Sequence, residues 1–421
     1  MKSMIRTAFR SLVLVFVLAS GAGLGAQELQ HVTRTINVEV PVRVFRGDAF
    51  VDHLTIGDFE VLENGAPQTL DAVYLVKKAA IERQEGTRPG APETLRHFYL
   101  FFELTEYDPK IREALDYFVK EVLSYGDELI FVTPVRTYRM KSDILKKAGR
   151  ERVLDRIVGI LMRDIQYGNT EYLDVLNEMT GLAAAVGASV VGGDPTSPRQ
   201  QVGDPFSFVE SLFDPQRSVE EQLQSYADCL GRLENIRRLD QAQVNALVEH
   251  LRGQSGQKEL FLFYQREFIP RIDDSVLSIL GSVYNQRPDI TQTLTSVFEF
   301  FRRDSTVDTE SASKLYSDTG AAIHFLYLTR SRPKVRGLTM EEHSEDIFSA
   351  FREMARATGG LMASTANIRA AMESAVAASE NYYLLYYTPK DYQADGKFRS
   401  LEVRVKGEGL RTTHRLGYIA D

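Results

Sequence analysis

The stretch Phe98-Tyr99-Leu100-Phe101-Phe102 is the clearest structural signal in this sequence. Five consecutive apolar residues are typical of a strand that is covered on both faces, as in a parallel sheet between two layers of helices. Further apolar runs occupy residues 129–132, 260–264, 321–328 and 382–387. Because segments with helical periodicity separate these runs, the sequence predicts an α/β fold with a doubly wound, mostly parallel sheet.

The segments around these strands complete the predicted domain, which covers residues 96–390. Apolar residues recur at helical spacing from Ile111 to Val122 and from about residue 142 to residue 162, and residues 136–140 are expected to be an edge strand. Residues 171–253 are expected to be a helical insertion. Prolines 195, 198, 205 and 215 predict a loop inside that insertion, because proline interrupts a helix.

Both ends of the mature chain show strand patterns of another kind. Residues 36–44 alternate between apolar and mostly polar side chains, and Asn64-Gly65 predicts a tight turn between two strands. Residues 27–78 are therefore expected to form a small β module, followed by a linker at residues 79–95. The strands expected within residues 391–421 are predicted to pair with that module in a β-sandwich-like unit, since pairing protects exposed strand edges.

The first 26 residues have the features of a signal peptide. Lys2, Arg6 and Arg10 precede the apolar run at residues 12–19, and small residues at 23–26 favour cleavage after Ala26. A secreted or periplasmic protein is expected. No second stretch is long and apolar enough to span a membrane, and the single cysteine, Cys229, is expected to be a buried core residue, because a lone cysteine cannot form an internal disulfide.

Charge and motifs narrow the possible functions. Without residues 1–26 the chain has 47 Lys and Arg against 58 Asp and Glu, a net charge of −11, which argues against nucleic-acid binding. The sequence contains no Gly-x-Ser-x-Gly elbow, Walker loop or His-Glu-x-x-His motif, and its seven histidines are scattered singly. A non-enzymatic protein is therefore expected, and a hydrolase that uses an unrecognised set of carboxylates is the alternative.

Several short motifs, in this order, resemble the VWFA-related family of secreted proteins known from acidobacterial genomes. They are Val40-Pro41-Val42-Arg43-Val44, the segment from Asp58 to Gly65, Thr358-Gly359-Gly360, the segment from Tyr382 to Pro389, and Arg415 to Tyr418. The resemblance implies a Rossmann-like von Willebrand factor A-type domain. It also implies a divalent cation at the carboxyl edge of the sheet, held by an Asp-x-Ser-x-Ser loop, a threonine and an aspartate, since oxygen ligands suit Mg²⁺.

The residues at the corresponding positions fit such a metal site poorly. The first loop has Glu103, Thr105 and Tyr107, the second retains Thr170, and the third has Gln265-Arg266-Glu267 in place of the expected aspartate. A fixed positive charge at Arg266 opposes cation binding. The site is therefore predicted to have decayed, with no cofactor. The alternative is Mg²⁺ held by Glu103, Thr105, Thr170 and Glu267.

The expected function is protein binding, adhesion or scaffolding, with another exported protein as the partner. The partner is expected at the edge of the sheet where those loops meet, since open α/β sheets bind ligands outside the carboxyl ends of their strands. Arg266 is expected to pair with Glu103 or Glu267. We call this set of residues the rim: Glu103, Thr105, Tyr107, Thr170, Gln265, Arg266 and Glu267. Magnesium-dependent adhesion through the rim and hydrolysis by rim carboxylates remain the alternatives.

Overall fold

The computed structural model describes residues 36–87, 90–141, 143–191, 218–236, 241–301, 309–335, 338–342 and 345–421. The predicted signal peptide and the predicted proline-rich loop between Gly192 and Arg217 lie outside these residues. In the part of the chain that is described, no helix is both long and apolar enough to cross a membrane.

The described residues form eighteen strands and eleven helices. The strands are β1 Val38–Arg46, β2 Ala49–Phe50, β3 Phe59–Glu63, β4 Ala66–Gln68, β5 Leu70–Lys77, β6 Ala80–Gly86, β7 Arg96–Glu103, β8 Glu128–Val132, β9 Thr137–Met140, β10 Gln257–Gln265, β11 Phe268–Arg271, β12 Ala321–Leu328, β13 Thr339–Glu342, β14 Met362–Thr365, β15 Asn381–Tyr387, β16 Phe398–Val405, β17 Leu410–His414 and β18 Gly417–Ile419.

The helices are α1 Lys110–Tyr117, α2 Ile144–Ala148, α3 Arg150–Gly168, α4 Thr170–Val191, α5 Val219–Ile236, α6 Gln241–Arg252, α7 Asp274–Val283, α8 Pro288–Phe300, α9 Thr309–Asp318, α10 Glu345–Thr358 and α11 Ile368–Ser379. A short π-helical turn, Phe118–Val122, continues α1.

One six-stranded sheet contains four of the five apolar runs, those at residues 98–102, 129–132, 260–264 and 321–328. Its order is β14-β12-β10-β7-β8-β9, with parallel pairing except between β8 and β9. Side chains alternate between its two faces. Leu100 and Phe102 pack with residues of α1, α3 and α11 on one face, whereas Tyr99 packs with residues of α6, α9 and α10 on the other. Both faces are therefore buried, as the continuous apolar runs require.

The predicted fold class, a doubly wound and mostly parallel sheet with a small β-sandwich-like module, is wrong for the chain as a whole. Of the fourteen strand pairings among the described residues, ten are antiparallel. The antiparallel strands form the sheets β17-β1-β15-β5-β6 and β18-β16-β3-β4, and the pair β11-β13. Antiparallel sheet is thus the predominant β structure of the molecule.

The error is clearest at β15, which the sequence analysis placed in the parallel sheet. This strand lies between β1 and β5 and pairs antiparallel with both. Tyr383 and Tyr387 face a core formed with β1 and the chain ends, whereas Tyr382 and Tyr386 pack with residues of β5 on the opposite face. A continuous apolar run reports that a strand is covered on both faces, and it does not report the direction of its neighbours.

The two ends of the described chain meet in the antiparallel sheets. Val42 to Arg46 of β1 pair with β17, and Phe59 to Glu63 of β3 pair with β16. Within residues 79–95, for which the sequence predicted a linker, β6 extends the sheet beside β5. The core between these strands contains Val40, Val61, Leu401 and Tyr418.

A second helical layer packs on its own core. Residues of α4, α5, α7 and α8 form this cluster together with Ile269 of β11. Cys229 is buried here with 1% exposure, and burial raises the pKa of its thiol to about 12. The thiol therefore stays protonated at neutral pH, as expected of a structural cysteine.

Candidate binding rim

The rim begins where β7 and β10 end, at neighbouring positions of the parallel sheet. Tyr264 is the register partner of Glu103, so the loops that follow both strands leave the sheet side by side. Asn169, just before α4, lies next to the first of these loops. Its side-chain amide donates a hydrogen bond to Leu104 O at 2.7 Å. Segments far apart in sequence thus meet at this edge.

The Gln265 side chain holds the loop after β7 in place through hydrogen bonds. Its buried side-chain oxygen Oε1 accepts hydrogen bonds from the amide of Thr105 at 3.1 Å, the hydroxyl of Thr105 at 3.0 Å and the amide of Glu106 at 3.0 Å. Thr105 is itself buried. One neutral amide oxygen therefore satisfies three donors at the position where the family resemblance implied an aspartate and an ion.

Thr170 is placed differently from a residue that faces a ligand. Its hydroxyl lies 3.2 Å from Gln166 O and 3.1 Å from Tyr167 O, the carbonyls of the preceding helical turn, and the residue is exposed. Asn169, which the sequence analysis did not single out, connects α3 to the rim. It donates to Ile165 O at 2.8 Å as well as to Leu104 O.

Tyr107 is half-buried and packs against the main core beneath the loop. Burial raises the pKa of its phenol. The ring therefore acts as an apolar support of the loop after β7.

Two rim carboxylates influence each other. The pKa of Glu103 is raised, first by the protein that surrounds its carboxyl group and second by the negative charge of Glu267. Glu267 is 8% exposed, whereas Glu103 as a whole residue is exposed. A proton or a cation relieves such repulsion between like charges.

Arg266 contacts a carboxylate that the sequence analysis missed. It pairs with Glu342 of β13, which also accepts a hydrogen bond from the Tyr327 hydroxyl at 2.7 Å. The sequence analysis expected Glu103 or Glu267 as the partner. Glu342 ends β13, which is separated from β12 by a loop. Because no local sequence pattern links Glu342 to Arg266, the contact could not be predicted from the sequence.

A group of arginines surrounds Phe268 beside the rim. The guanidinium carbons of Arg266, Arg330 and Arg332 lie 5.2, 6.0 and 5.9 Å from the centre of its ring. Arg330 also forms an ion pair with Glu106 at 3.1 Å, which connects this group to the loop after β7. Arg332 and Lys334 are exposed. The described residues contain no group of three or more His, Cys, Asp or Glu side chains that could hold a metal ion.

Comparison with known proteins adds little. No protein-family model and no curated protein matches the sequence. Among solved structures, the human COPII-coat protein Sec24c is similar with a TM-score of 0.28 and 8% identity, over 78% of this chain and 44% of that one. The chain thus spans less than half of the length of that protein, and a likeness this weak carries no argument about fold or function.

Proposed function

We propose that this chain is an exported, non-enzymatic binding protein that uses the rim to hold another exported protein without a divalent cation. The observation that carries the proposal is the set of three hydrogen bonds to Gln265 Oε1. They fix the loop after β7 in one conformation with protein atoms alone. A preorganised loop binds a partner at a lower entropic cost than a mobile one.

The arginines around Phe268 support a partner that presents acidic groups. Arg332 and Lys334 are exposed beside the rim, while Arg266 and Arg330 are held by Glu342 and Glu106. Arginine is enriched at the centres of protein interfaces because its planar guanidinium can stack and donate several hydrogen bonds together. An acidic segment of a partner would therefore be steered to this edge of an otherwise acidic protein.

Thermal unfolding tests whether the rim works without an ion. A ligand that binds only the folded state adds about 2.7 kcal/mol of stability at a hundredfold excess over its dissociation constant. We expect no saturable rise in melting temperature with millimolar Mg²⁺, Mn²⁺ or Ca²⁺, and no loss with chelator. A saturable rise that disappears in both Glu103→Gln and Glu267→Gln would instead support the magnesium-dependent alternative, which the effect of the Glu267 charge on Glu103 favours.

Site-specific photo-crosslinking tests the position of the partner. A crosslinker that replaces Arg332 is expected to capture one exported protein, with equal yield in chelator and in Mg²⁺. Lys397, whose side chain is 74% exposed beyond β15, provides the matched control position. Capture at both positions, or loss of capture only in chelator, would contradict the proposal. Replacing Arg330 and Arg332 together by Gln should lower the yield from a crosslinker placed at Lys334.

A further inference from the structure

A polar cavity of roughly 470 Å³ lies at the end of the parallel sheet opposite the rim. The first residues of β10 form one wall, and the Gly320 turn before β12 forms another. Glu39 and Arg43 of β1, Tyr382 of β15 and Arg415 after β17 close the cavity from the antiparallel sheet. The sequence analysis did not identify any of these positions as a binding site.

Two of the positive charges in the cavity are neutralised by adjacent carboxylates. Arg43 lies 2.9 Å from Glu259, and both side chains are almost fully buried. Glu259 also accepts from His324 at 2.7 Å, since Nδ1 of that histidine accepts the Leu361 amide and its other ring nitrogen carries the proton. Arg252 pairs with Asp318 on a second wall.

Lys258 and Arg415 form no ion pair with a described residue, although the carboxylates of Glu39 and Asp318 line the same cavity. Lys258 is 8% exposed. Its ammonium group donates only to the carbonyls of Leu251 and Gln254, at 3.1 and 2.9 Å. Arg415 donates from Nη2 to Glu39 O at 2.5 Å, while its buried Nε has no hydrogen-bond partner. Within the described part of the chain, neither cation has a carboxylate within ion-pair distance.

The two cationic groups converge on one small open space. A β-carbon placed on Gly320 would lie 3.7 Å from Lys258 Nζ and 3.9 Å from Arg415 Nη1, with no other atom within 4 Å. Gly320 has φ of +65°, a conformation that side-chain-bearing residues rarely adopt. The absence of a side chain at this position therefore leaves room between the buried Lys258 and the partly buried Arg415.

We propose that this cavity binds a small phosphate-type oxyanion between Lys258 and Arg415, next to Gly320. Enclosing two positive charges that form no ion pair is costly, and an anion that accepts their free hydrogen bonds lowers that cost. A dianionic phosphate group matches two cations better than a monocarboxylate does. The cavity volume also admits a small phosphorylated molecule.

The protonation behaviour of Lys258 agrees with this assignment. Burial and the charge of Arg415 lower its pKa to about 8, although Glu39 and Asp318 act in the opposite direction. A bound anion would raise that pKa again, so binding should weaken as the pH rises through about 8 and should be accompanied by proton uptake there. The charged groups that line the cavity together with Lys258 are Arg43, Arg252, Arg415, Glu39, Glu93, Glu259 and Asp318.

Calorimetry of the full chain with inorganic phosphate tests the proposal, with acetate and chloride at equal ionic strength as comparisons. We expect saturable phosphate binding, at least tenfold weaker binding of acetate, and no response to chloride. Titration with sodium glycerol phosphate distinguishes free phosphate from a phosphorylated molecule as the ligand of the cavity. Tighter binding than that of inorganic phosphate would assign the cavity to a phosphorylated molecule, and equal or weaker binding would assign it to the free ion.

Matched variants identify the site. Lys258→Gln and Arg415→Gln should each weaken phosphate binding at least tenfold, whereas Lys147→Gln, which removes an exposed charge on α2, should not change it. If either cavity variant fails to fold, a second calorimetric measurement on the native protein replaces it. Phosphate is titrated at pH 8 in two buffers of different ionisation enthalpy, which reports the proton uptake linked to binding. Unchanged affinity in both folded variants, or the absence of saturable binding or of linked proton uptake in the native protein, would overturn the proposal.

Discussion

The side-chain oxygen of Gln265 lies 3.0 Å from the Thr105 hydroxyl, so a single buried amide at the end of β10 fixes the loop after β7. The same oxygen is 3.0 Å from the Glu106 amide, and both Gln265 and Thr105 are buried. The conformation of the rim therefore depends on residue 265 more than on any residue of the loop itself.

Replacing Gln265 by Leu should destabilise the protein by about 1–3 kcal/mol, because two backbone amides and a hydroxyl lose their acceptor in a buried setting. Urea unfolding measures the change. Thr170→Ala is the matched control on the rim, since its exposed hydroxyl bonds only to two carbonyls at the end of α3, and it should change stability by no more than about 0.5 kcal/mol. Equal losses in the two variants would refute this role for Gln265.

The buried pair of Arg43 and Glu259 should make stability depend on pH. Burial alone would raise the pKa of Glu259, but the charge of Arg43 and hydrogen bonds from His324 and Gln257 outweigh it, so the pKa is lowered. Since the folded value lies below the ordinary value of 4.5, this stabilisation is present above that pH and is lost as the pH falls further. Unfolding free energies measured from pH 6 to pH 3 should show the decline.

Glu259→Gln should remove that part of the pH dependence and cost about 3–5 kcal/mol at pH 7, because Arg43 would remain as an uncompensated buried charge. The double variant with Arg43→Met should lose less than the sum of the two single variants, which a double-mutant cycle measures. Strictly additive losses would show that the two side chains act independently.

Gly360→Ala should be severely destabilising, whereas Gly159→Ala should not. A β-carbon at Gly360 would lie 1.9 Å from Ile323 O, a backbone atom of β12 that cannot move without disturbing the sheet. Gly159 lies on the exposed side of α3 with no atom within 4 Å of its β-carbon position. Alanine there should stabilise by about 0.5–1 kcal/mol through helix propensity. Thermal melts of the pair test this difference.

Cys229 should resist alkylation in the folded protein. It is 1% exposed, and burial raises its pKa to about 12, so almost no thiolate is present at pH 8. Mass spectrometry after iodoacetamide treatment is expected to show the modification only when urea unfolds the chain. Complete modification under native conditions within minutes would mean that the helical layer opens at Cys229.

The strand positions in the central sheet were accessible to sequence reasoning because burial on both faces leaves a continuous apolar run, as at residues 98–102 and 260–264. Whether each strand pairs parallel or antiparallel with its neighbours could not be predicted from the sequence. The run at residues 382–387 has the same character, and yet Tyr383 pairs with Val42 of an antiparallel neighbour. Strand direction depends on which segments lie next to each other, and single-strand patterns carry no such information.

The sequence analysis named the rim residues but not the contacts that organise them. Gln265 is 160 residues from Thr105, and the hydrogen bond follows from the parallel register of β7 and β10. Arg266 likewise meets Glu342 across 76 residues. The cavity that contains Lys258 and Arg415 was missed altogether, since isolated basic residues at such separations look like ordinary surface charges until the sheets bring them together.

The central position of β15 has a consequence for the order in which the protein can fold. The Tyr383 hydroxyl of β15 donates a hydrogen bond to Val51 O, 332 residues earlier in the chain. The N-terminal strand β1, which pairs with β15, therefore emerges from the ribosome long before its partner. At 5–20 residues per second, the wait is roughly 15–70 s. During that time the apolar strands near the N-terminus have unsatisfied edges, which invite aggregation. A newly made chain should therefore depend on a holding chaperone until its final forty or so residues are available.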